Sequence, residues 1–230
     1  TRALLSAMSQ APAGLRAYIG FDVSEAHLRA AAQGVADDYG IDVHAVTGNF
    51  LEHLDAVPDS DGPRLVAFLG STIGNLDPDQ RREFLQQVGG LLKPGDSFLL
   101  ATDLVKPVDR LVAAYDDPTG VTAAFNRNVL TVLNRELGAG FDPGAFDHLA
   151  VWVPESSWVE MRLRARVAMT VPLPGLDVVA QFAAGEAIRT EVSTKFTPPG
   201  VRSELAQAGL DVAATWSDPA GDYLLTLATR

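Results

Sequence analysis

The chain of 230 residues carries 29 acidic against 18 basic side chains, a formal charge of -11, and 47% of it is hydrophobic, ample for a core. The acidic balance argues against the phosphate-neutralising surface that a nucleic-acid partner needs, and no Lys or Arg run offsets it. Zero cysteines exclude disulfides, thiolate nucleophiles and Cys-based zinc sites. With no uninterrupted apolar run of about 18 residues and no charged-then-apolar leader, no membrane partner is expected, and the cytoplasm is the expected location.

The sequence opens inside an apparent helix, Thr1 to Met8, and from residue 17 alternates short apolar runs with longer helical ones, the pattern of βα units on a parallel sheet. Strands are expected at Ala17 to Phe21, Ile41 to Val46, Leu65 to Leu69 and Ser97 to Ala101, with helices at Glu25 to Tyr39, Pro78 to Leu92 and Val108 to Tyr115. Pro78 suits a first helical turn, Asp77 suits the cap before it, and Lys93-Pro94-Gly95-Asp96 ends that helix.

The regularity stops after Tyr115. Val121 to Leu137 reads as an amphipathic helix, and Leu149 to Val153 with Trp158 to Thr170 reads as a β pair turning at Pro154-Glu155-Ser156-Ser157. Val159, Met161, Leu163, Ala165 and Val167 alternate with Glu160, Arg162, Arg164 and Arg166, which predicts one packed and one wet face. A strand near Asp177 to Phe182 is expected to pair with that run. The ending returns to the sheet through a helix at Pro199 to Ala208 and an antiparallel hairpin of Val212 to Trp216 with Tyr223 to Ala228. Three parts result: a sheet over 1–117, an inserted α+β cap over 118–197, and a helix and hairpin over 198–230 that complete the sheet. The fold class is α/β, a doubly wound sheet whose closing antiparallel hairpin marks the methyltransferase rather than the nicotinamide variant.

Candidate ligand groups cluster where strands end, since small molecules bind beyond the carboxyl ends of parallel strands. Asp22 closes the first strand and can accept from ribose hydroxyls, or else caps the Glu25 helix. Gly48-Asn49-Phe50 follows the second strand, where Asn49 can meet an adenine edge and Phe50 its face; a turn with a core Phe is the alternative. Asn75, after Gly70-Ser71-Thr72-Ile73-Gly74, offers an amide with two donors and an acceptor, suited to an amine or a carboxylate, or to a helix cap. Glu191 and Ser193 point to one side of an extended run from Thr190 to Phe196, where they can grip a two-nitrogen ring or form a solvated face. His27, His44, His53 and His148 show no ligand spacing, so no metal is expected.

Three blocks carry a resemblance: Phe68 to Leu76, Ala113 to Asn128, and Phe182 to Glu186 running on through Thr190 to Phe196. They closely resemble the ergothioneine-pathway histidine Nα-methyltransferases, and the likeness covers essentially the whole chain. It implies a class I, Rossmann-like fold and three successive methyl transfers from S-adenosylmethionine to the α-amino group of L-histidine, giving hercynine. By resemblance Asp22 binds the cofactor ribose, Asn49 and Phe50 lie against the adenine, and Gly70 and Ser71 line the cofactor pocket. Thr72, Asn75 and Tyr115 hold the amino-acid backbone end, with Asn75 and Tyr115 orienting the reacting amine. Glu191 and Ser193 grip the imidazole and Met161 lines its pocket. The implied partner is free L-histidine, acted on by a monomer.

The chain departs from the family at position 49, where Asp is expected and Asn stands. It also begins after the family's first strand and glycine-rich turn. That strand belongs between the runs at 17 to 21 and 65 to 69, so its absence predicts low stability and weak cofactor binding for the chain alone, several buried aliphatic side chains being worth roughly 1.5 to 3 kcal/mol each. A nicotinamide-dependent oxidoreductase and a non-catalytic remnant that keeps the substrate cap are the competing readings.

Overall fold

A computed structural model describes residues 1–12, 14–60 and 62–230. Helix α1 (Arg2–Gln10) buries only Leu5 and is tied to the next helix by the Tyr39 hydroxyl, which donates to the Arg2 carbonyl at 3.0 Å. Strand β1 (Ala17–Asp22), helix α2 (Glu25–Tyr39) and strand β2 (Asp42–Thr47) form one βαβ unit. The two strands run parallel, and α2 packs Leu28, Ala32 and Val35 inward, a single stripe at i, i+4, i+7.

A second sheet has the order β10-β11-β4-β3. Its members are β3 (Leu65–Phe68), β4 (Ser97–Asp103), β10 (Asp211–Ser217) and β11 (Tyr223–Thr229). β3 and β4 are parallel, and β11 runs antiparallel to both β4 and β10, the hairpin closure that the sequence predicts. Helix α3 (Pro78–Leu91) starts in a capping box: the Asp77 carboxylate accepts from the Asp79 and Gln80 amides while the Gln80 side chain accepts from the Asp77 amide. With α6 (Pro198–Gln207) it covers the sheet, burying Phe84, Leu85, Val88, Leu92, Phe98, Leu100, Leu205 and Leu210 in one core.

Among the described residues no strand pairs with both β1 and β3, so the ladder is interrupted where the resemblance places a further central strand. Side chains bridge the two sheets instead. Phe50 sets its ring edge-on to Phe68 and Phe84, with centroids 5.1 and 5.5 Å away, and the Gln87 amide donates to the Leu51 carbonyl.

Residues after α4 (Val108–Tyr115) build a separate core. Helix α5 (Val121–Leu137), whose first two amides are held by the Asp117 carboxylate, packs Leu130 on Phe141, Phe146, Leu163 and Val171. Beneath it lies an antiparallel sheet in the order β5-β6-β9, made of β5 (Phe146–Val153), β6 (Trp158–Ala165) and β9 (Ala187–Thr194).

Three expectations need correction here. The run from Trp158 to Thr170 is not one strand: it ends at Ala165, because the Ala165 amide and carbonyl are taken by Glu186 and Gly185 and the Arg166 amide donates to Ala145. Val167 is therefore exposed rather than packed. The chain then forms a hairpin of its own, β7 (Met169–Leu173) with β8 (Val178–Phe182), so the 177–182 segment pairs with β7 and the second neighbour of β6 is β9. The face opposite Val159, Met161 and Leu163 is also not uniformly wet. Glu160 is buried between Arg162, Arg189 and the Trp158 indole, and hydrogen bonds from Arg162 help hold its carboxyl below the usual range despite burial.

Candidate active site

A cavity of about 290 Å³ opens at the carboxyl ends of β3 and β4, lined by Gly70, Ser71, Thr72, Asn75, Asp103, Tyr115, Glu191, Ser193, Lys195 and Tyr223. The floor begins at the end of β3. Gly70 and Ser71 both adopt left-handed backbone, with φ of 77° and 59°, and for Ser71 that conformation costs about 1–3 kcal/mol. The Ser71 hydroxyl accepts from the Asp103 amide at 2.9 Å, anchoring the strained turn to the end of β4. A single 3-10 turn, Thr72–Asn75, follows, with Ile73 and Gly74 buried beneath and Asn75 exposed above. Gly74 is needed there, because a Cβ would lie 2.9 Å from the Thr194 carbonyl of β9. From behind, buried Arg81 donates to Glu204, to the Leu76 carbonyl and to the Thr194 hydroxyl, fastening the turn, α6 and β9 together.

The opposite wall is β9, and its aim depends on a bulge. Met161 faces Glu191 whereas Arg162 faces Arg189, so Thr190 is an extra residue in the ladder and its hydroxyl donates to the Met161 carbonyl. Beyond that step Glu191, Ser193 and then Lys195 turn to the cavity while Thr194 turns to Arg81. The Asn75 amide reaches Glu191 across the cavity at 3.4 Å, linking the two walls. Burial pushes the Glu191 carboxyl up, against the pull of the nearby Lys195 ammonium.

Tyr115 ends α4, and its backbone is gripped from β5. His148 Nε2 donates to the Tyr115 carbonyl at 2.7 Å, and His148 Nδ1 accepts from the Asn126 amide at 2.8 Å. The Tyr115 hydroxyl thereby meets Ser193 at 2.7 Å and Lys195 at 2.8 Å. Lys195 is only 1% exposed and also contacts Asp103 at 2.9 Å, whose other oxygen holds Lys106 at 2.5 Å. Tyr223, opposite Asp103 in the β11–β4 register, has its phenol raised by burial and then by the Asp103 charge, which keeps it a hydroxyl.

Of the residues singled out from the sequence, Gly70, Ser71, Thr72, Asn75, Tyr115, Glu191 and Ser193 converge on this cavity. Met161 lies beside Glu191 in the ladder and is buried, but it does not line the cavity. Asp22, Asn49 and Phe50 stand at the carboxyl ends of the other parallel pair, outside it. Asp22 is exposed and accepts from the Ser24 amide with one oxygen. Asn49 accepts from the Leu51 amide and donates to Glu52, and Phe50 is half-buried against the Phe68 and Phe84 rings.

Sequence reasoning missed Asp103, Lys195 and Tyr223. A signal existed for two of them: Lys195 continues the alternation of Glu191 and Ser193, and Asp103 ends a strand as Asp22 does. Among the described residues no group of three or more His, Asp or Glu side chains is arranged to hold a metal ion, and no helix is long and apolar enough to cross a membrane.

The family described as histidine-specific, S-adenosylmethionine-dependent methyltransferase matches residues 1–230. The histidine N-alpha-methyltransferase of Mycolicibacterium smegmatis is 55% identical over 231 residues, spanning 100% of this chain and 71% of that protein. Its counterpart in Mycobacterium tuberculosis is 50% identical with the same coverage, and ergothioneine biosynthesis protein 1 of Schizosaccharomyces pombe is 24% identical across 100% of this chain and 30% of its own length. A solved structure of a Pyrococcus horikoshii protein shares the fold at a TM-score of 0.50, with 14% identity over 99% of this chain and 87% of that one. Nothing among these matches favours the nicotinamide reading. The chain belongs to the histidine-specific, S-adenosylmethionine-dependent methyltransferases.

Proposed function

We propose that the protein methylates the α-amino group of L-histidine, three times over, with S-adenosylmethionine as donor, giving hercynine. The observation that carries the reading is the pairing of a two-group ring clamp, Glu191 and Ser193, with an amine-orienting pair, Asn75 and Tyr115, around one cavity.

The residues present fit the donor. The Asp22 carboxylate is exposed at the end of β1 and, among the described residues, uses one oxygen to accept from the Ser24 amide, which leaves the other suited to vicinal ribose hydroxyls. Gly70 leaves the β3 end bare, since the nearest atom to a Cβ there would be the Thr72 hydroxyl at 3.8 Å. Asn49 and Phe50 would border the adenine, and Gly70 with Ser71 the donor's other end. S-adenosylmethionine supplies a methyl group on a positively charged sulfur.

The chain's own work is positioning. Before each of the three transfers the ammonium must give one proton to water, so that its nitrogen presents a lone pair; the donor would then supply the methyl group and keep the electron pair of the bond that breaks, and the third product, with no N–H left, retains its positive charge. Asn75 accepts from or donates to the amine as its protonation and methylation change, because the amide has both roles and no charge. Tyr115 shares that task and Thr72 faces the backbone end. Well-aligned reactants gain roughly 7–11 kcal/mol, so no strong base is required.

Selectivity arises at the far end. A pocket built to pair with ring nitrogens leaves buried polar groups unpaired with any other amino acid. Residues 118–197 act as the cap that carries this end, with Met161 beside Glu191 in the ladder. The reading carries with it a monomeric enzyme of the cytoplasm, acting on a free amino acid and using neither metal nor membrane.

Calorimetric titration with S-adenosylhomocysteine and L-histidine, followed by mass spectrometry of histidine incubated with S-adenosylmethionine, tests the proposal. Methyl groups are expected on the α-nitrogen, with loss of histidine preference in Glu191→Ala. Methylation on a ring nitrogen, or an unchanged preference, would overturn it.

A further inference from the structure

Lys195 is a cation buried to 1% exposure at the back of the cavity. An ammonium has three donors and no acceptor, and here all three are engaged: Asp103 Oδ2 at 2.9 Å, Tyr115 Oη at 2.8 Å and Ser193 Oγ at 2.8 Å. The ammonium also lies 4.7 Å from the centre of the Tyr115 ring. Its neighbours can therefore only accept from it. Tyr115 gives its single proton to Ser193 at 2.7 Å, so Ser193 accepts twice and its own proton has nowhere to go but the cavity. Glu191, on the same wall, is the complementary acceptor, and the Asn75 amide donates to it at 3.4 Å.

We propose that Lys195 is a positioning residue that fixes the hydrogen-bond polarity of the Tyr115–Ser193 pair, so that Ser193 presents a donor and Glu191 an acceptor, and the site selects a neutral ring with one bare and one protonated nitrogen. The inference rests on the reading that Glu191 and Ser193 hold the imidazole, and it adds which of them faces which nitrogen. An imidazolium ring, protonated on both nitrogens, would set an N–H against the Ser193 proton. A ring with carbon in place of the bare nitrogen would leave that proton unpaired, at the cost of an unmade buried hydrogen bond.

The test compares Kd for L-histidine with Kd for its pyrrole analogues, which keep one ring N–H and replace the other nitrogen by C–H. Preference for histidine over the better-binding analogue is expected to fall about tenfold in Lys195→Met, equally in Ser193→Ala, and no further in the double variant. If Lys195→Met weakens both ligands alike, its role is merely structural and the proposal is overturned. If Ser193→Ala leaves the preference intact, the ring-clamp reading itself fails and the proposal falls with it. Should Lys195→Met not fold, nitrogen NMR of ring-labelled histidine bound to the unaltered protein decides. A single neutral tautomer supports the proposal, and a bound imidazolium overturns it.

Discussion

The two ends of the candidate site are built differently. The proposed amino-acid end draws Asn75, Tyr115, Glu191 and Ser193 from three elements, and Lys195 from the end of the last, into one cavity and ties them together by hydrogen bonds. At the proposed nucleotide end, Asp22 closes β1 and Asn49 and Phe50 follow β2, at the edge of a separate two-stranded sheet, and among the described residues each is engaged with near neighbours or the core. A network whose members orient one another specifies a ligand by polarity, whereas isolated strand-end groups contribute affinity one at a time. Substitutions at the first end should therefore act beyond their own contact, and those at the second should not.

The largest break in that contrast is expected from Asp103→Ala. It leaves the Lys195 ammonium buried without its counter-ion, and removing one partner of a buried pair costs about 3–5 kcal/mol. Thermal unfolding should show the loss, and histidine binding should go with it. A variant as stable as the parent would mean that the cavity network does not behave as a unit.

Glu191→Gln is the next largest. A hydrogen bond to a charged group is worth about 1.5–3 kcal/mol, so histidine affinity should fall by roughly tenfold to a hundredfold. S-adenosylhomocysteine affinity should stay where it was, and a parallel fall in both would erase the distinction between the two ends. The pH dependence has opposite signs for binding and folding. Burial holds the Glu191 carboxyl above its ordinary range, so its grip on a ring N–H fades as pH falls through that raised value. Its contribution to folding is fully present below the ordinary glutamate value and is lost as pH rises through the raised one, because the folded chain favours the proton. Glu191→Gln should flatten both profiles.

Much of this architecture is legible in the sequence. α2, α4 and α5 begin and end at the predicted residues, because their apolar stripes are bounded by turn formers such as Gly40, Pro107, Gly120 and Gly138. The closing hairpin was legible for the same reason. The end of β6 was not, since it is set by Glu186 and Gly185, twenty residues downstream, and local alternation runs straight past it to Val167. At the site, alternation brings Glu191 and Ser193 to one side correctly, but the Thr190 bulge that aims them is a property of pairing with Met161. His148 looks like an unremarkable histidine in sequence, and only the fold makes it the clamp on Tyr115.

Asn75→Ala is expected to act more modestly. Its amide is exposed and makes one long contact to Glu191, so the loss is that of one neutral hydrogen bond, about 0.5–1.5 kcal/mol, or up to roughly tenfold. If Asn75 orients the amine for transfer, the change appears in kcat and leaves the Kd for histidine nearly unmoved. An effect confined to Kd would make it a binding residue of the ring end instead.

The smallest effect, and the sharpest probe of the nucleotide end, is expected from Asn49→Asp. The carboxylate keeps the acceptor that the Leu51 amide uses at 3.1 Å, so the turn survives. It forfeits the donor to Glu52 and sets two negative groups side by side, which at an exposed position costs less than about 1 kcal/mol of stability. Against that, a charged acceptor pairs more strongly with an adenine amino group than a neutral amide does. S-adenosylhomocysteine affinity should therefore rise a few-fold while histidine affinity and its preference over other amino acids stay fixed. A shift in that preference would show that the two ends are coupled through the Phe50–Phe68 contact, where the loop after the separate β pair meets the strand that leads into Gly70 and Ser71.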